Sequence, residues 1–320
     1  MANLRLRAMT SMASCIVLVA LCGSGTAATR LEWKLPKGKT YYQRTMFDQV
    51  ITQTVMGQEQ KMEQGIGTGL KLQVLDVDAQ GNMRIQYTYL WSKLKQVNPM
   101  AQVDYDSSRQ APIPAGAEAC AALIGQSYTI KLTPKGKVLD VNGVEQLREA
   151  VLKKLPAGAD VSMGMNPVAM YIDKASVKQM AEVNMGLYPD KPVNPGDSWT
   201  RETTMAVGFT MVTQSKWTLQ KEEAGVATIG LASTVRIDPN SPPMEAGGMK
   251  MKGNLTGTQE GAIQVAVATG LITASKERSR LKGEIQVGAT ADAQPMMTIP
   301  MTIDTQVTGE MSERMWKTSP

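Results

Sequence analysis

Apolar and polar side chains alternate with period two over most of the chain. Met83, Ile85, Tyr87, Tyr89 and Trp91 take turns with Arg84, Gln86, Thr88, Leu90 and Ser92. Ile66, Leu70, Leu72 and Val74 precede them, and Asp78-Ala79-Gln80-Gly81-Asn82 joins the two runs as a Gly-containing hairpin loop. An earlier run, Tyr41 to Val55, turns back at Met56-Gly57-Gln58-Glu59. Trp199, Met205, Val207, Phe209 and Met211 share a face, as do Ala227, Ile229, Leu231, Val235 and Ile237 after a turn at Glu222 to Gly225. Met297, Ile299, Met301, Ile303 and Val307 close the series. Such alternation predicts sheets with one buried and one wet face. The runs exceed the usual strand length of about 5–6 residues. Long, twisted strands favour a curved sheet or open barrel over a compact sandwich.

Two helices interrupt the strands. Val144, Leu147, Val151 and Leu155 recur at helical spacing. Asn142 with Glu145 reads as the capping start, Lys153 and Lys154 suit the C-terminal dipole, and Pro156 ends the helix. A second helix is predicted from Lys174 to Met185, capped by Asp173 and stopped by Gly186 and Pro189. A Gly- and Met-rich loop, Gly158 to Asn166, lies between them. Gly38-Lys39-Thr40-Tyr41 and Gly196-Asp197-Ser198-Trp199 open similar strand sets, a faint trace of duplication. The expected fold is mainly β (α+β), with long antiparallel strands in a curved sheet or half-barrel. Its two related lobes, 29–187 and 196–320, flank the Pro-rich linker 188–195, and the helices form a central insert.

Residues 1–28 read as an address. Arg5 and Arg7 start it, an apolar run from Ala13 to Leu21 follows, and small residues lead to Ala27 and Ala28. This is the pattern of a secretory signal peptide, and the run is shorter than the roughly 20 residues of a membrane span. A lipid anchor at Cys22 is the minor alternative, because Leu21 is not the small residue such signals place before the Cys. Cleavage also removes Cys15 and Cys22, so Cys120 is left without an internal disulfide partner. Within Ala117 to Ile124 it reads as a small buried hydrophobe in a short helix.

Composition then removes chemistry. The chain of 320 residues has 34 Lys and Arg, 29 Asp and Glu, and no His. The near-balance argues against nucleic acid as a partner. Without His there is no His-based nucleophile pair and no His-ligated metal. Gly38-Lys39-Thr40 lacks the earlier Gly of a phosphate loop, since Trp33 stands there. Asp76 to Gly81 starts like a calcium loop, but its twelfth position is Tyr87. Asp104, Asp106 and Ser108 share that spacing, with Arg109 where the Gly belongs. Ser92 and Lys95 match Ser-x-x-Lys but lie on a strand, where the pair does not meet. Of 23 Met, several cluster, as at Met163, Met165 and Met170, at Met244, Met249 and Met251, and at Met296, Met297 and Met301. Thioethers suit Cu(I). With only two Phe in the chain, though, flexible Met is read as core or groove lining.

Several segments together resemble a family of secreted bacterial cell-envelope proteins known only as a domain of unknown function. They are Lys37-Gly38-Lys39-Thr40-Tyr41, Met56-Gly57-Gln58, Val74 to Asp78 with Gly81-Asn82, Lys135 to Val138 with Val141-Asn142-Gly143, and Pro195 to Trp199. The resemblance implies an envelope setting and no known activity. The architecture is loosely similar to half-barrel lipoprotein carriers of the LolA and LppX type, an analogy of fold alone. The expectation is an exported, non-enzymatic binding or scaffold module without a cofactor, whose partner is another envelope component. The alternative is a periplasmic carrier of a lipid or other apolar ligand. Met205, Phe209, Met211 and Trp217 are the candidate lining of that ligand site. No transmembrane segment is expected after signal removal. N-terminal sequencing of the exported protein should find Ala28 or Thr29 first; retention of residues 1–28 would refute the export reading.

Overall fold

A computed structural model describes residues 28–98, 101–109, 112–155, 168–246, 248–288 and 295–316. The leader before Ala28, with Cys15 and Cys22, and the loop with Met163 and Met165 lie outside the described residues. The strands are β1 (Thr40–Val55), β2 (Gln58–Val77), β3 (Met83–Asn98), β4 (Ala101–Asp106), β5 (Ser127–Leu132), β6 (Val138–Asn142), β7 (Ser198–Val207), β8 (Phe209–Glu223), β9 (Val226–Ile237), β10 (Met244–Ala246), β11 (Met249–Ala266), β12 (Leu271–Gly288) and β13 (Met297–Ser312). The helices are α1 (Glu118–Leu123), α2 (Val144–Leu152) and α3 (Lys174–Met185). The fold is thus mainly β, with long antiparallel strands and few helices.

The strands form one 13-stranded sheet in the order β6-β5-β3-β2-β1-β13-β12-β11-β9-β8-β7, with β4 beside β3 and β10 beside β11. Strands before the Pro-rich segment build one half and strands after it the other. The halves join where β1 pairs with β13, from Tyr42 opposite Ser312 to Gln53 opposite Met301. Helix α3 packs on both β6 and β7, the two ends of the order. One helix can reach both edges only if the sheet curls around it. Gln179 of α3 completes the β7 edge by donating to Thr204 O (2.8 Å) and accepting from Ala206 N (3.4 Å). The open row of backbone groups, an aggregation hazard, is thereby blunted.

The inner face of one end of the sheet is closed by the helices and by the segment entering β1. Leu31, Trp33 and Leu35 of that segment are buried with Leu72, Ile85, Tyr89, Leu132, Leu147 and Val177. Backbone bonds from Trp33 N to Pro134 O and from Lys34 N to Thr269 O tie it to hairpin turns in both halves. Tyr188 and Val193 of the Pro-rich segment are also buried, and Val193 bridges to Thr29. Tyr188 stacks obliquely on Trp33 and donates to Gly270 O.

Local chemistry explains most boundaries. Asp173 caps α3 by accepting from Ser176 N at 2.7 Å, and Gly186 follows the last turn. The expected cap of α2 is corrected. Asn142 still belongs to β6, opposite Thr129, and its amide donates to Asp140. Gly143 at φ 86° makes the strand-to-helix turn instead. The same helix ends at Leu152, before Lys153 and Lys154, and Pro156 lies outside the described residues. The run expected through Val207 is cut by a tight turn at Gly208, so Val207 pairs with Phe209 across a hairpin.

Ile85 is fully buried on the inner face of β3, whereas Gln86 is half-buried on the other face beside Gln73 and Thr129. Ile85→Asp should cost several kcal/mol in denaturant unfolding, and Gln86→Asp about 0.5 kcal/mol or less. Equal losses would mean that both faces are covered.

Candidate functional site

Register carries the geometry of the inner face. Inward positions pair in rows across the strands, and one row is polar from end to end. Arg201, Ser215, Ser233, Gln259, Ser279, Thr305, Gln49 and Gln64 lie opposite one another in turn across β7, β8, β9, β11, β12, β13, β1 and β2. Hydrogen bonds run along it, from Ser233 Oγ to Ser215 Oγ (3.0 Å) and from Gln49 Nε2 to Thr305 Oγ1 (3.2 Å).

The row divides the concave face. On its helix side are Trp199 and Trp217, directly opposite each other and packed against the closed core. On its far side lies a second apolar cluster. Ile237, Leu255, Ile285 and Val287 are buried there, and Phe209, Met211, Met251, Met297, Ile299, Met301 and Ile303 lie half-buried against them. Gly253 forms part of its floor: a Cβ there would stand 2.4 Å from Ile237 Cδ1 and 3.4 Å from Phe209 Cε2. The helices pack on β3, β5, β6 and β7, at the other end of the sheet and along its edges.

Charge is segregated as sharply. Of the charged residues on the strands, all but three point to the convex face. This follows from their register with Arg44, Lys71, Arg84, Lys276, Arg278, Arg280 and Lys282. The three exceptions are Glu222, Arg201 and Glu277. Glu222, at a hairpin tip, accepts from the Thr29 hydroxyl. Arg201 donates to Gly186 O. Glu277 accepts from Gln259 Nε2 at 2.6 Å. Burial pushes the Glu277 carboxyl above its ordinary range, and the Gln259 amide offsets part of that rise.

Close approach of backbones explains the glycines of the inner face. A Cβ at Gly257 would stand 1.9 Å from Arg280 O, and one at Gly261 would stand 2.5 Å from Lys276 O and 2.9 Å from Glu277 Cγ. Any larger residue would push β11 off β12, so the concave side of this pair is floored by backbone.

The sequence-derived lining is therefore separated. Met205, Phe209 and Met211 lie on the far, apolar side; Trp217 lies across the polar row. Met205 pairs with Met211, which pairs with Ile237 in turn. Sequence reasoning read Ile237 and Ile299 as inward strand positions but left them out of the lining, and it missed Leu255, Ile285 and the polar row. A signal for the row existed. Ser233 interrupts Leu231 and Val235, Gln49 interrupts Phe47 and Ile51, and Thr305 interrupts Ile303 and Val307.

The convex face carries the charges, with one aromatic patch where Trp91 lies 4.7 Å beneath the Arg44 guanidinium and Tyr42 meets Trp316 edge-on. A hollow of about 390 Å³ is lined by residues including Asp76, Asp78, Arg84, Lys131 and Asp140. Its carboxylates have partners: Lys37 lies 2.8 Å from Asp76 and Lys131 2.9 Å from Asp78. Lys131 and Asn82 lower the Asp78 pKa to about 2. Asp78 also accepts from the amides of Gln80 and Asn82, as a hairpin turn requires. Ser92 and Lys95 point to opposite faces, opposite Thr68 and Gly65. Among the described residues, no group of three or more acidic, Cys or His side chains is placed to hold a metal, and no helix is long and apolar enough to cross a membrane.

Cys120 is buried in α1. Burial raises its thiol pKa to about 11, against a smaller opposing effect from Ser92. It should resist a bulky maleimide in the native protein at neutral pH and label on unfolding; rapid native labelling would show an open thiol.

Comparison with known proteins adds a family. Residues 80–272, more than half of the chain, match the family of unknown function DUF6263. No curated protein matches the chain. Among solved structures, that titled "Lipid-protein interactions in lipovitellin" is similar, with a TM-score of 0.47 and 10% identity over 89% of this chain. The match spans 26% of the lipovitellin chain, about a quarter of its length.

Proposed function

The chain belongs to this family of unknown function, and we propose that its concave face binds an apolar ligand with a flexible chain. One observation carries the reading. A half-buried apolar surface of Met, Ile and Phe lies apart from the packed core, behind a polar row, on a face almost free of charge. A surface meant only for water would carry the charges that the convex face carries. A surface meant only for packing would be contiguous with the helix-covered core. Ligand sites are concave and mostly apolar, with a few placed polar groups, and Met side chains adapt to varied shapes. Of the two functions expected from the sequence, this geometry supports the carrier better than the scaffold. On this reading the protein is an exported, non-catalytic component of a cell envelope that shields an apolar molecule from water.

A neutral polarity-sensitive dye such as phenylnaphthylamine should bind at one saturable site. Met211→Asp and Met301→Asp, both at half-buried positions in the far cluster, should each weaken binding about tenfold or more while the protein stays folded, since a charge would face the ligand. Absence of saturable binding, or loss of folding in both variants without any dye site in the parent protein, would retire the carrier reading.

A further inference from the structure

Among the described residues, Glu277 is the one charged group in the middle of the concave face. Its neighbours there across the sheet are Gly261 on β11 and Val307 on β13, with Ser275 and Ser279 on either side along its own strand. None of these is titratable. Its hydrogen-bond partner is the Gln259 amide, which belongs to the polar row, so the carboxyl is drawn toward the boundary of the far apolar cluster. Arg201, the only inward cation on the strands among the described residues, stands at the β7 edge, four strands or about 19 Å away along the sheet at about 4.8 Å per strand. Its guanidinium is already bound to Gly186 O. A half-buried carboxylate without a cation is costly to keep, and nothing in the packing of β11 to β13 needs one. Gln at this position would satisfy Gln259 equally well.

The apolar rows start close by. Leu281 is the next inward residue of β12 beyond the polar row, and Val287 is the last apolar one, about 20 Å further at about 3.3 Å per residue. That is the reach of a long alkyl chain. A carboxyl at one end, hydroxyls and amides beside it, and a chain-length apolar track beyond describe a receptor for an amphiphile.

Building on the apolar-ligand reading, we propose that the ligand is a single-chain amphiphile with a cationic amine head, held by Glu277 and the polar row, its chain lying on the far cluster. An anionic head would meet the Glu277 carboxylate and be repelled. A neutral head would bond the Ser and Gln side chains but leave that charge uncompensated.

The test uses decylamine, decanol and decanoate below their micellar concentrations, with the folded chain and calorimetric or tryptophan-fluorescence titration. Decylamine should bind about tenfold tighter than decanol, the gain expected from one partly desolvated ion pair, and decanoate should bind weakest. Glu277→Gln should abolish the preference for the amine over decanol. Equal binding of the three by the parent protein, tightest binding of decanoate, or an amine preference that survives Glu277→Gln would overturn the head-group assignment and leave the apolar site standing. Binding of none of the three would overturn the apolar site as well. The comparison of the three ligands on the parent protein decides the matter even if the variant does not fold.

Discussion

Three carbonyls at the C-terminus of α3 hold the curve of the sheet. Met185 O accepts from the Trp33 indole at 2.8 Å, Leu187 O from the Trp199 indole at 2.8 Å, and Gly186 O from Arg201. A helix end leaves such carbonyls without internal partners, and the helix dipole favours a cation there. The partners come from opposite parts of the chain. Trp33 lies before β1, and Trp199 and Arg201 lie in β7, at the far end of the strand order. The backbone of the turn at Gly136 also packs directly against Met185 O, where a Cβ would stand 2.0 Å away. Both edges of the sheet are thus brought to one helix terminus, and the inner face becomes concave as a consequence.

That concavity gives the segregation of charge its meaning. On a flat sheet, one polar and one apolar face would only say which side is covered. On a curled sheet with helices over one end, the apolar face has a part covered by helices and a part that they leave uncovered. The polar row marks the border between them. It keeps the far cluster from merging with the core, because each Ser, Thr, Gln or Arg in it needs a hydrogen-bond partner, which a continuous apolar layer would not supply. The glycines of β11 and β12 let the backbones approach on that side.

Legibility in the sequence differed between elements for physical reasons. β13 and the first half of β3 read clearly because apolar residues recur there at most inner positions. Beyond Tyr89 the expected alternation is wrong, because a bulge opposite Gly69 and Leu70 turns Trp91 to the convex face beneath Arg44 and brings Ser92 and Leu94 inward. β11 and β12 did not read clearly, although each is 18 residues long. Their inner positions include Gly253, Gly257, Gly261, Gly283, Ser275, Ser279 and Glu277, so alternation of hydrophobicity is lost where close approach of backbones and polarity are required. The cap of α3 was legible because Asp173 acts locally on Ser176 N. The start of α2 misled because Asn142 is held in β6 by pairing with Thr129, a contact between distant residues that overrides local capping preference.

The sequence alone determined the class of fold, the long antiparallel strands, most hairpins, the position of α3 and the burial of Cys120. Each of these depends on residues close together in the chain or on a period that a single strand displays. It also placed Met205, Phe209 and Met211 on one inward face, because alternation within β7 and β8 suffices for that. Only the tertiary structure decided that the polar interruptions of separate strands align into one row, that β1 pairs with β13, and that Glu277 stands alone among neutral neighbours. Those facts are set by register between strands that are remote in sequence. Register is chosen by the summed fit of a whole strand pair, so no local pattern in the chain reports it.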